Sequence, residues 1–256
     1  MPLAIITGAA QGIGRRTAEV LASRGYDLAF IDVQPASATA AEARKLGRDI
    51  LEFSGNVADE KDVAKFAGAV KQRGWQPDVL VNNAGISLIR PAEDTTAAEF
   101  RRVIEINLVG PFLMVQAFAP MMLERKSGSI VNVASIAGLA GVADRAAYNA
   151  SKHGLVGLTR TLAAEWGGRG VRCNAVCPGW VKTAMDDADQ ARGTYSDGDI
   201  TGRVPMNRFA TPDDVAQAIA FLADPKLSGF VNGHTLVVDG GWTADASWQS
   251  LRMSKR

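Results

Sequence analysis

Short apolar runs alternate with helix-length segments along most of this chain. The runs are rich in Val, Ile and Leu and lack regular polar alternation, which is typical of strands buried on both faces of a parallel sheet. We therefore predict seven strands, at 3–7 (LAIIT), 27–32 (DLAFID), 49–54 (DILEFS), 78–85 (DVLVNNAG), 128–135 (GSIVNVAS), 171–179 (VRCNAVCPG) and 234–241 (HTLVVDGG).

The segments between these runs carry helix boundary signals. Asp59 suits an N-cap with Asp62 at the third position, and Thr211 suits another with Pro212 at the first helical position. The predicted helices cover residues 12–23, 36–46, 60–73, 96–126 and 144–166 and a segment after Thr211. This alternation predicts an α/β fold, a doubly wound parallel sheet of Rossmann type with helices on both faces. Its ligands should bind outside the carboxyl ends of the strands.

Composition narrows the function classes. The chain has 256 residues, 47% apolar residues and a net charge of +1, and it contains no low-complexity linker. We expect one domain over residues 1–256, with no nucleic-acid partner, no membrane partner and a cytoplasmic location. Cys173 and Cys177 are too few for a disulfide framework, and we interpret them as reduced core thiols rather than a disulfide or a metal site. We predict no metal.

The sequence TGAAQGIG, Thr7 to Gly14, follows the first strand and enters the first helix. The free N–H groups and the dipole at a helix N-terminus favour a pyrophosphate. Gly8 allows a sharp turn, and Gly12 and Gly14 remove Cβ atoms where the backbone meets phosphate and where helix meets strand. A plain glycine turn is the alternative.

Asp32 ends the second strand, 18 residues after Gly14. A carboxylate at this distance can hold the adenosine ribose hydroxyls and would repel a 2′-phosphate, which favours NAD over NADP. A helix N-cap or a solvated strand end is the alternative. Arg15 and Arg16 lie in the first helical turn, where they could reach a phosphate or serve only the surface.

Tyr148 and Lys152 in YNASK are four residues apart and share a helical face. A nearby ammonium and a positive nicotinamide would lower the pKa of Tyr148 and make it a general acid/base. Ser135 ends the fifth strand and could hold the substrate oxygen, and the Asn107 amide could hold a water that connects Lys152 to solvent. Alternatively, Tyr148 and Lys152 are packing residues, Ser135 is a strand-end cap, and Asn107 packs in a bent helix.

Together, the glycine motif, Asn82-Asn-Ala-Gly85, Asn107, Ser135, Tyr148-x-x-x-Lys152 and Pro178-Gly179 resemble the short-chain dehydrogenase/reductase family, from Leu3 to about Trp242. The resemblance implies a catalytic tetrad of Asn107, Ser135, Tyr148 and Lys152. It also implies hydride transfer between nicotinamide and a secondary alcohol or ketone. The implied cofactor-binding residues are Thr7, Gly8, Gln11, Gly12, Ile13, Gly14, Asp32, Asn56, Val57, Asn83, Ala84, Gly85, Tyr148, Lys152, Pro178, Gly179, Val181 and Thr183.

Substrate choice should lie in residues 184–205, hereafter the lid, which is polar, glycine-containing and without a clear period. Its acids Asp186, Asp187, Asp189, Asp197 and Asp199, set against Arg192 and Arg203, fit a neutral polyol or sugar slightly better than a phosphorylated carrier.

Two enzymatic interpretations stay open. The chain resembles 3-oxoacyl-carrier-protein reductases, and the alternative is an NAD-dependent sugar or polyol dehydrogenase. A non-catalytic dinucleotide-sensing protein is a third possibility. We expect a homotetramer or homodimer, because relatives pair the helices at 96–126 and 144–166, which carry apolar residues such as Phe112 and Met121.

Overall fold

The computed structural model describes residues 1–191 and 195–248. Within them, a parallel sheet of seven strands has the order β3-β2-β1-β4-β5-β6-β7. The strands are β1 Leu3–Thr7, β2 Asp27–Asp32, β3 Ile50–Ser54, β4 Pro77–Asn82, β5 Gly128–Val133, β6 Val171–Pro178 and β7 Thr235–Val238. The predicted doubly wound parallel sheet is confirmed.

Helices connect these strands. They are α1 Gly12–Ser23, α2 Ser37–Lys45, α3 Glu60–Gln72, α4 Ala97–Ile104, α5 Gly110–Arg125, α6 Ala146–Trp166, α7 Ala184–Gln190, α8 Asp197–Arg203, α9 Pro212–Ala223 and α10 Pro225–Ser228. Asp59 and Thr211 cap α3 and α9 as predicted, each accepting backbone hydrogen bonds through its side chain.

The side chains of β1 divide the core between two helical layers. Ala4 and Ile6 pack with residues of α1, α2 and α9, whereas Leu3 and Ile5 pack with residues of α3, α5 and α6. All four are buried. A strand whose neighbouring side chains are all apolar needs cover on both faces, and this explains the three-layer architecture.

The order in which strands are added to the sheet reverses next to β1, at the centre of the sheet. From β1 the chain winds outward through β2 and β3, then returns to place β4 on the other side of β1. Ligands of such sheets bind at this switch point, beyond the carboxyl ends of the strands. Thr7, Asp32 and Asn82 end three of these strands at one edge of the sheet.

The helix predicted over 144–166 begins at Ala146 instead. Asp144 has a left-handed backbone (φ 58°), and its carbonyl accepts a hydrogen bond from the Arg90 N–H over 2.7 Å. This contact with another loop holds Asp144 out of the helix and makes Arg145 the N-cap.

The lid contains two short helices, α7 and α8, where the sequence predicted no regular structure. Ser196 and Asp199 form a capping box at the start of α8, and tertiary contacts of Asp189 hold α7. The predicted lid residues Arg192 and Gly193 lie outside the described residues, as does the basic tail from Gln249 onward.

The predicted helix over 96–126 is confirmed, but a π-helical turn, Glu105–Val109, interrupts it and contains Asn107. Among the described residues, Ala97–Arg125 is the one helical segment long and apolar enough to cross a membrane by length and composition, and half of its most apolar window is buried. Buried core helices of soluble proteins have the same length and apolar character.

The apolar side chains of α5 are divided between core and surface. Met114, Phe118 and Met122 are fully buried, whereas Phe112 is 45% exposed. Most of the apolar character that suggested an association surface therefore belongs to the core.

Cys173 and Cys177 are free and buried in β6, as predicted. Burial raises their thiol pKa values to about 12 and about 11, so both are protonated at neutral pH.

Candidate active site

The glycine loop joins β1 to α1 in a shape that side chains would obstruct. Gly8 and Gly12 have left-handed backbones, with φ of 70° and 57°. A Cβ atom at Gly14 would lie 2.0 Å from the Gly8 carbonyl oxygen, so the third glycine allows the loop to pack on itself. The Gln11 side chain makes no capping hydrogen bond to α1. The first-turn N–H groups, including that of Ile13, are thus available to an anion.

The Asp32 carboxylate braces the same loop. Its Oδ2 accepts a hydrogen bond from the Ala10 N–H and its Oδ1 accepts one from the Gln34 N–H, each over 2.9 Å. Arg15 and Arg16 point elsewhere: Arg15 pairs with Glu19, and Arg16 pairs with Glu19 and Asp213. Asp32 therefore lies beside the glycine loop, while both arginines are held by surface carboxylates. The contact of Asp32 with a ribose stays a prediction.

Thr7 and Asn83 connect the ends of β1 and β4. The Thr7 hydroxyl accepts hydrogen bonds from the N–H groups of Asn83 and Ala84, at 3.0 and 2.9 Å. The Asn83 amide nitrogen donates to the carbonyls of Thr7 and Gly8. These hydrogen bonds hold the glycine loop against the segment that follows β4. Gly85 follows, close to the Asn107 amide.

Asn56 and Val57 follow β3. The Asn56 side chain accepts a hydrogen bond from the Ala58 N–H, and its own N–H donates to Asp62, so Asp62 braces this turn instead of completing a box with Asp59. Val57 is buried against Gly110 at the start of α5.

The chain that leaves β6 passes close to the glycine loop. Gly179 passes so close to Asp239 that a Cβ atom would lie 2.8 Å from the Asp239 Cβ. Val181 bridges to Ala210, and the Thr183 side chain lies 3.6 Å from where a Cβ of Gly12 would be. Thr183 therefore lies beside the glycine loop, and Pro178 ends β6 at the same edge of the sheet.

Tyr148 and Ser135 lie together at the sheet edge. Ser135 caps the short turn after β5, with its hydroxyl accepting a hydrogen bond from the Ala137 N–H. Burial raises the pKa of Tyr148, and a hydrogen bond from the Ser135 hydroxyl opposes that rise. In the protein alone, desolvation of the phenolate is thus the larger effect on this pKa. The predicted lowering of the Tyr148 pKa includes the charge of a bound nicotinamide, and it stays a prediction.

Lys152 is buried and its Nζ donates to the Val133 carbonyl oxygen over 2.7 Å. The Nζ lies 5.6 Å from the centroid of the Tyr148 ring. Burial lowers the pKa of Lys152 to about 8. The two residues therefore face each other as their spacing predicted, with the amine held by the main chain of β5.

Asn107 is fully buried, and its amide holds a loop against the helices. Its Oδ1 accepts from the Ile86 N–H, while Nδ2 donates to the Ile86 carbonyl and to the Ser151 hydroxyl. The π turn presents Asn107 inward for these contacts, a distortion that recurs at functional sites. All four predicted tetrad residues are thus near one another or connected through α6.

Arg145 is a further polar residue at this site that the sequence patterns did not predict. Arg145 lies three residues before Tyr148, and its Cζ lies 6.0 Å from the centroid of that ring. Its Nη1 donates to the Ser87 hydroxyl and forms an ion pair with Asp189 of α7. The spacing of one helical turn from Tyr148 was the signal that could have identified Arg145.

Among the described residues, no group of three or more His, Cys, Asp or Glu side chains could hold a metal ion.

A glycine loop at a sheet switch point, an acid at the end of β2, and a serine, tyrosine and lysine beyond β5 define a class of nicotinamide-dependent oxidoreductases. The chain belongs to the short-chain dehydrogenase/reductase family. The family model described as "Enoyl-(Acyl carrier protein) reductase" matches residues 8–243.

Curated relatives cover most of the chain. D-threitol dehydrogenase of Mycolicibacterium smegmatis is 41% identical over 246 residues, covering 94% of this chain and 92% of that protein. 3-oxoacyl-[acyl-carrier-protein] reductase FabG of Thermotoga maritima is 37% identical over 245 residues, covering 93% and 96%. The chain spans only 43% of a further relative, an uncharacterized short-chain type dehydrogenase/reductase of Sinorhizobium fredii that is 41% identical over 239 residues.

A solved structure shares the fold. The putative NAD(P) dependent gluconate 5-dehydrogenase from Beutenbergia cavernae, with NADP bound at low occupancy, is 39% identical with a TM-score of 0.88, covering 95% of this chain and 97% of that one. The chain is therefore an oxidoreductase that acts on CH–OH groups with a nicotinamide dinucleotide.

Proposed function

We propose that this protein is an NAD-dependent dehydrogenase of small, polar secondary alcohols, with Tyr148 as the general acid/base. One observation carries the proposal: Ser135, Tyr148 and Lys152 lie together beyond the sheet edge on which the glycine loop also opens. When bound, the dinucleotide supplies the hydride acceptor. Tyr148 takes the hydroxyl proton during oxidation and returns it during reduction, while Ser135 positions the substrate oxygen.

The residues present fit a dinucleotide. Gly8 and Gly14 have no room for a Cβ atom, and Gly12 has a left-handed backbone (φ 57°) that favours glycine. The uncapped amino end of α1 suits a pyrophosphate. Lys152 is the candidate for binding a ribose hydroxyl, because its Nζ lies beside the chain leaving β4, 3.8 Å from where a Cβ atom of Gly85 would be.

The surroundings of Asp32 favour NAD over NADP. Residues 33–37, VQPAS, carry no positive charge that could balance a 2′-phosphate. The nearest helical cations, Arg15 and Arg16, are paired with Glu19 and Asp213. A 2′-phosphate placed against the Asp32 carboxylate would face repulsion without compensation. Because the Beutenbergia structure holds NADP at low occupancy, both dinucleotides belong in the test of this preference.

The lid favours a small substrate. Its carboxylates Asp186 and Asp189 are buried and bonded within the protein, Asp186 to the Tyr195 hydroxyl and Asp189 to Arg145. Each of these two buried carboxylates also has a positive partner, Lys182 for Asp186 and Arg145 for Asp189, and the Arg145 guanidinium lies beside the Tyr148 ring. This setting suits a compact polar alcohol, such as the polyol named in the D-threitol dehydrogenase relative. Reduction of 3-oxoacyl thioesters, the activity named for the Thermotoga relative, is the second candidate.

A substrate panel separates the candidates. Initial rates would be measured with NAD and NADP on polyols, simple secondary alcohols and, in the reducing direction, acetoacetyl thioester. We expect the highest kcat/KM with NAD and a polyol. Thioester reduction exceeding all alcohol oxidation would overturn the substrate class.

Tyr148→Phe tests the mechanism. We expect kcat to fall by at least about 10²–10⁴-fold, because the proton-transfer group is lost, while NADH affinity stays within about twofold, because the ring remains. Near-normal turnover in this variant would refute the proposed role of Tyr148. Binding of NADH by the native chain without turnover of any substrate would instead support a dinucleotide-sensing protein.

Self-association, a cytoplasmic location and the lack of nucleic-acid and membrane partners stay predictions from sequence. Phe100 and Phe112, 37% and 45% exposed on α4 and α5, give a homodimer or homotetramer an apolar contact. Light scattering that reports a monomeric mass would contradict the association.

A further inference from the structure

Three elements meet in a closed polar cluster above Tyr148. Ser87 follows β4, Arg145 is the N-cap of α6, and Asp189 belongs to α7. Arg145 Nη1 donates to the Ser87 hydroxyl over 2.7 Å and to Asp189 Oδ2 over 3.1 Å, and the Ser87 hydroxyl donates to Asp189 Oδ2 over 3.0 Å. We name these three residues the polar wall.

The two charged residues of the polar wall are buried beside the reacting group, and Ser87 is partly buried. The Arg145 and Asp189 side chains are each 9% exposed. The Arg145 guanidinium lies between two rings, with its Cζ 6.0 Å from the centroid of Tyr148 and 5.6 Å from that of Trp180. The Trp180 ring is itself packed edge-on against Tyr195, at 5.2 Å between centroids. The Arg145–Asp189 ion pair is thus largely buried and lies next to the general acid/base. In this position it can contact substrate.

The hydrogen bonds within the polar wall use only some of the donor and acceptor atoms of its side chains. Within the described residues, they involve only Nη1 of Arg145 and Oδ2 of Asp189. A guanidinium carries further N–H donors, and a carboxylate has a second acceptor oxygen. The wall therefore offers donors and an acceptor side by side, with a net charge of zero.

This combination selects for a neutral hydroxyl. A hydroxyl group both donates and accepts, so it can satisfy both members of the pair. A carboxylate would gain from Arg145 but would be repelled by Asp189. An alkyl group would leave buried polar atoms unpaired, which enzymes use to reject analogues that lack a hydroxyl.

We infer that Arg145 and Asp189 are specificity-determining residues that bind a second hydroxyl next to the reacting carbinol, so that the substrate is a neutral vicinal diol or polyol. This inference rests on the proposed function and extends it. In the reaction, the hydride leaves the carbinol carbon for the oxidised dinucleotide, the hydroxyl proton passes to Tyr148, and the neighbouring hydroxyl stays unchanged on the wall.

Three four-carbon alcohols test the wall at constant size. 2,3-Butanediol carries the neighbouring hydroxyl, 2-butanol lacks it, and 3-hydroxybutanoate carries a carboxylate instead. For the native enzyme we expect kcat/KM with 2,3-butanediol to exceed that with 2-butanol by at least about tenfold, the effect of one buried hydrogen bond. Equal values for the two alcohols would overturn the inference while leaving the proposed function intact.

Variants assign the preference to residues. Arg145→Gln should bring the ratio of 2,3-butanediol to 2-butanol within about threefold of unity. Asp189→Asn leaves Arg145 without its counter-charge, so the ratio of 3-hydroxybutanoate to 2,3-butanediol should rise by at least about tenfold. Asp187→Asn is the matched control, because Asp187 lies on the same helix with its side chain 64% exposed and paired to Lys182.

The control variant should keep the native ratios. If Asp187→Asn changed them as much as Asp189→Asn does, a general charge effect of the lid would replace the specific one. If Asp189→Asn left the carboxylate ratio unchanged, the inference would be wrong. NADH titration and thermal unfolding establish that each variant is folded, and Arg145→Lys, which retains the charge, covers the case in which Arg145→Gln does not fold.

The pH profile gives an independent readout. The charged or titratable groups around Tyr148 are Arg145 and Lys152 from α6, Asp189 from α7 and Cys177 from β6. The positive charge of Arg145 lowers the pKa of Tyr148, and the negative charge of Asp189 raises it. Oxidation requires the phenolate, so kcat/KM should rise at lower pH in Asp189→Asn and at higher pH in Arg145→Gln. Unshifted profiles in both variants would contradict placement of the wall beside Tyr148.

Discussion

Two glycine-to-alanine substitutions should change the stability of this protein in opposite directions. Gly14 and Gly68 both lie in helices, α1 and α3, where alanine is intrinsically favoured by about 1 kcal/mol. Their surroundings differ. A Cβ atom at Gly68 would meet no heavy atom of the described residues within 4 Å, whereas one at Gly14 would lie 2.0 Å from the Gly8 carbonyl oxygen and 2.5 Å from Asn83 Nδ2.

The cost at Gly14 follows from what must move. The contact with the Gly8 oxygen has to lengthen from 2.0 Å to the 3.4 Å of ordinary van der Waals contact. Two hydrogen bonds hold Gly8: its carbonyl accepts from Asn83 Nδ2 over 2.9 Å, and its N–H donates to the Ile31 carbonyl over 3.0 Å. Losing both costs about 2 kcal/mol and overpacking costs about 1–3 kcal/mol, partly offset by the helix preference for alanine. We expect Gly14→Ala to lose about 2–4 kcal/mol of unfolding free energy.

The assay is urea unfolding combined with NADH titration. Gly68→Ala should gain about 0.5–1 kcal/mol and bind NADH normally. Gly14→Ala should unfold at lower urea concentration and lose at least about tenfold in NADH affinity, because the loop that receives the pyrophosphate is displaced. A Gly14→Ala protein as stable as the Gly68→Ala protein, with native NADH affinity, would refute the close approach of Gly14 to Gly8.

Two further predictions concern buried side chains. The folded-state pKa of Lys152 is lowered to about 8 by burial, so the unfolded chain binds more protons between about pH 8 and 10.5 and stability from this group rises with pH there. At pH 7 the free energy of unfolding of Lys152→Met should therefore exceed that of the native chain by at most about 3 kcal/mol. The urea midpoints of the two proteins should converge near pH 10.5. A difference in unfolding free energy that does not change with pH would contradict the lowered pKa. Phe118→Ala removes a fully buried ring of α5 and should cost about 3–5 kcal/mol, whereas Phe112→Ala, 45% exposed on the same helix, should cost less than about 1 kcal/mol. Similar losses in both phenylalanine variants would show that the core boundary on α5 is misplaced.

The apolar runs of the sequence and the boundary residues between them were sufficient to predict the sheet. Strands β1, β2 and β6 and helix α1 have nearly the predicted bounds, because continuous apolar runs and glycine or N-cap boundaries are local properties of the sequence. Local sequence motifs also identified the site residues, because each motif stands at or near the end of a predicted strand or helix. These are the glycine loop, Asp32 and the Tyr148–Lys152 pair. Parallel strands bring their carboxyl ends to one edge, so motifs far apart in sequence could be placed together from the fold class alone.

Features that depend on contacts between distant segments could not be predicted. The start of α6 at Ala146 depends on a hydrogen bond from Arg90, and the order of the lid depends in part on Asp189 meeting Arg145. The raised pKa of Tyr148 reflects desolvation, which exists only once the chain has packed around the phenol.

By itself, the sequence determined which segments are strands and helices and which chemical groups stand at their ends, since periodicity and local backbone preference need no partner. Tertiary structure decided how those groups are paired, buried and charged. A side chain's pKa and its hydrogen bonds depend on neighbours within a few ångströms, and in this protein residues such as Ser87, Arg145 and Asp189 become neighbours only after folding.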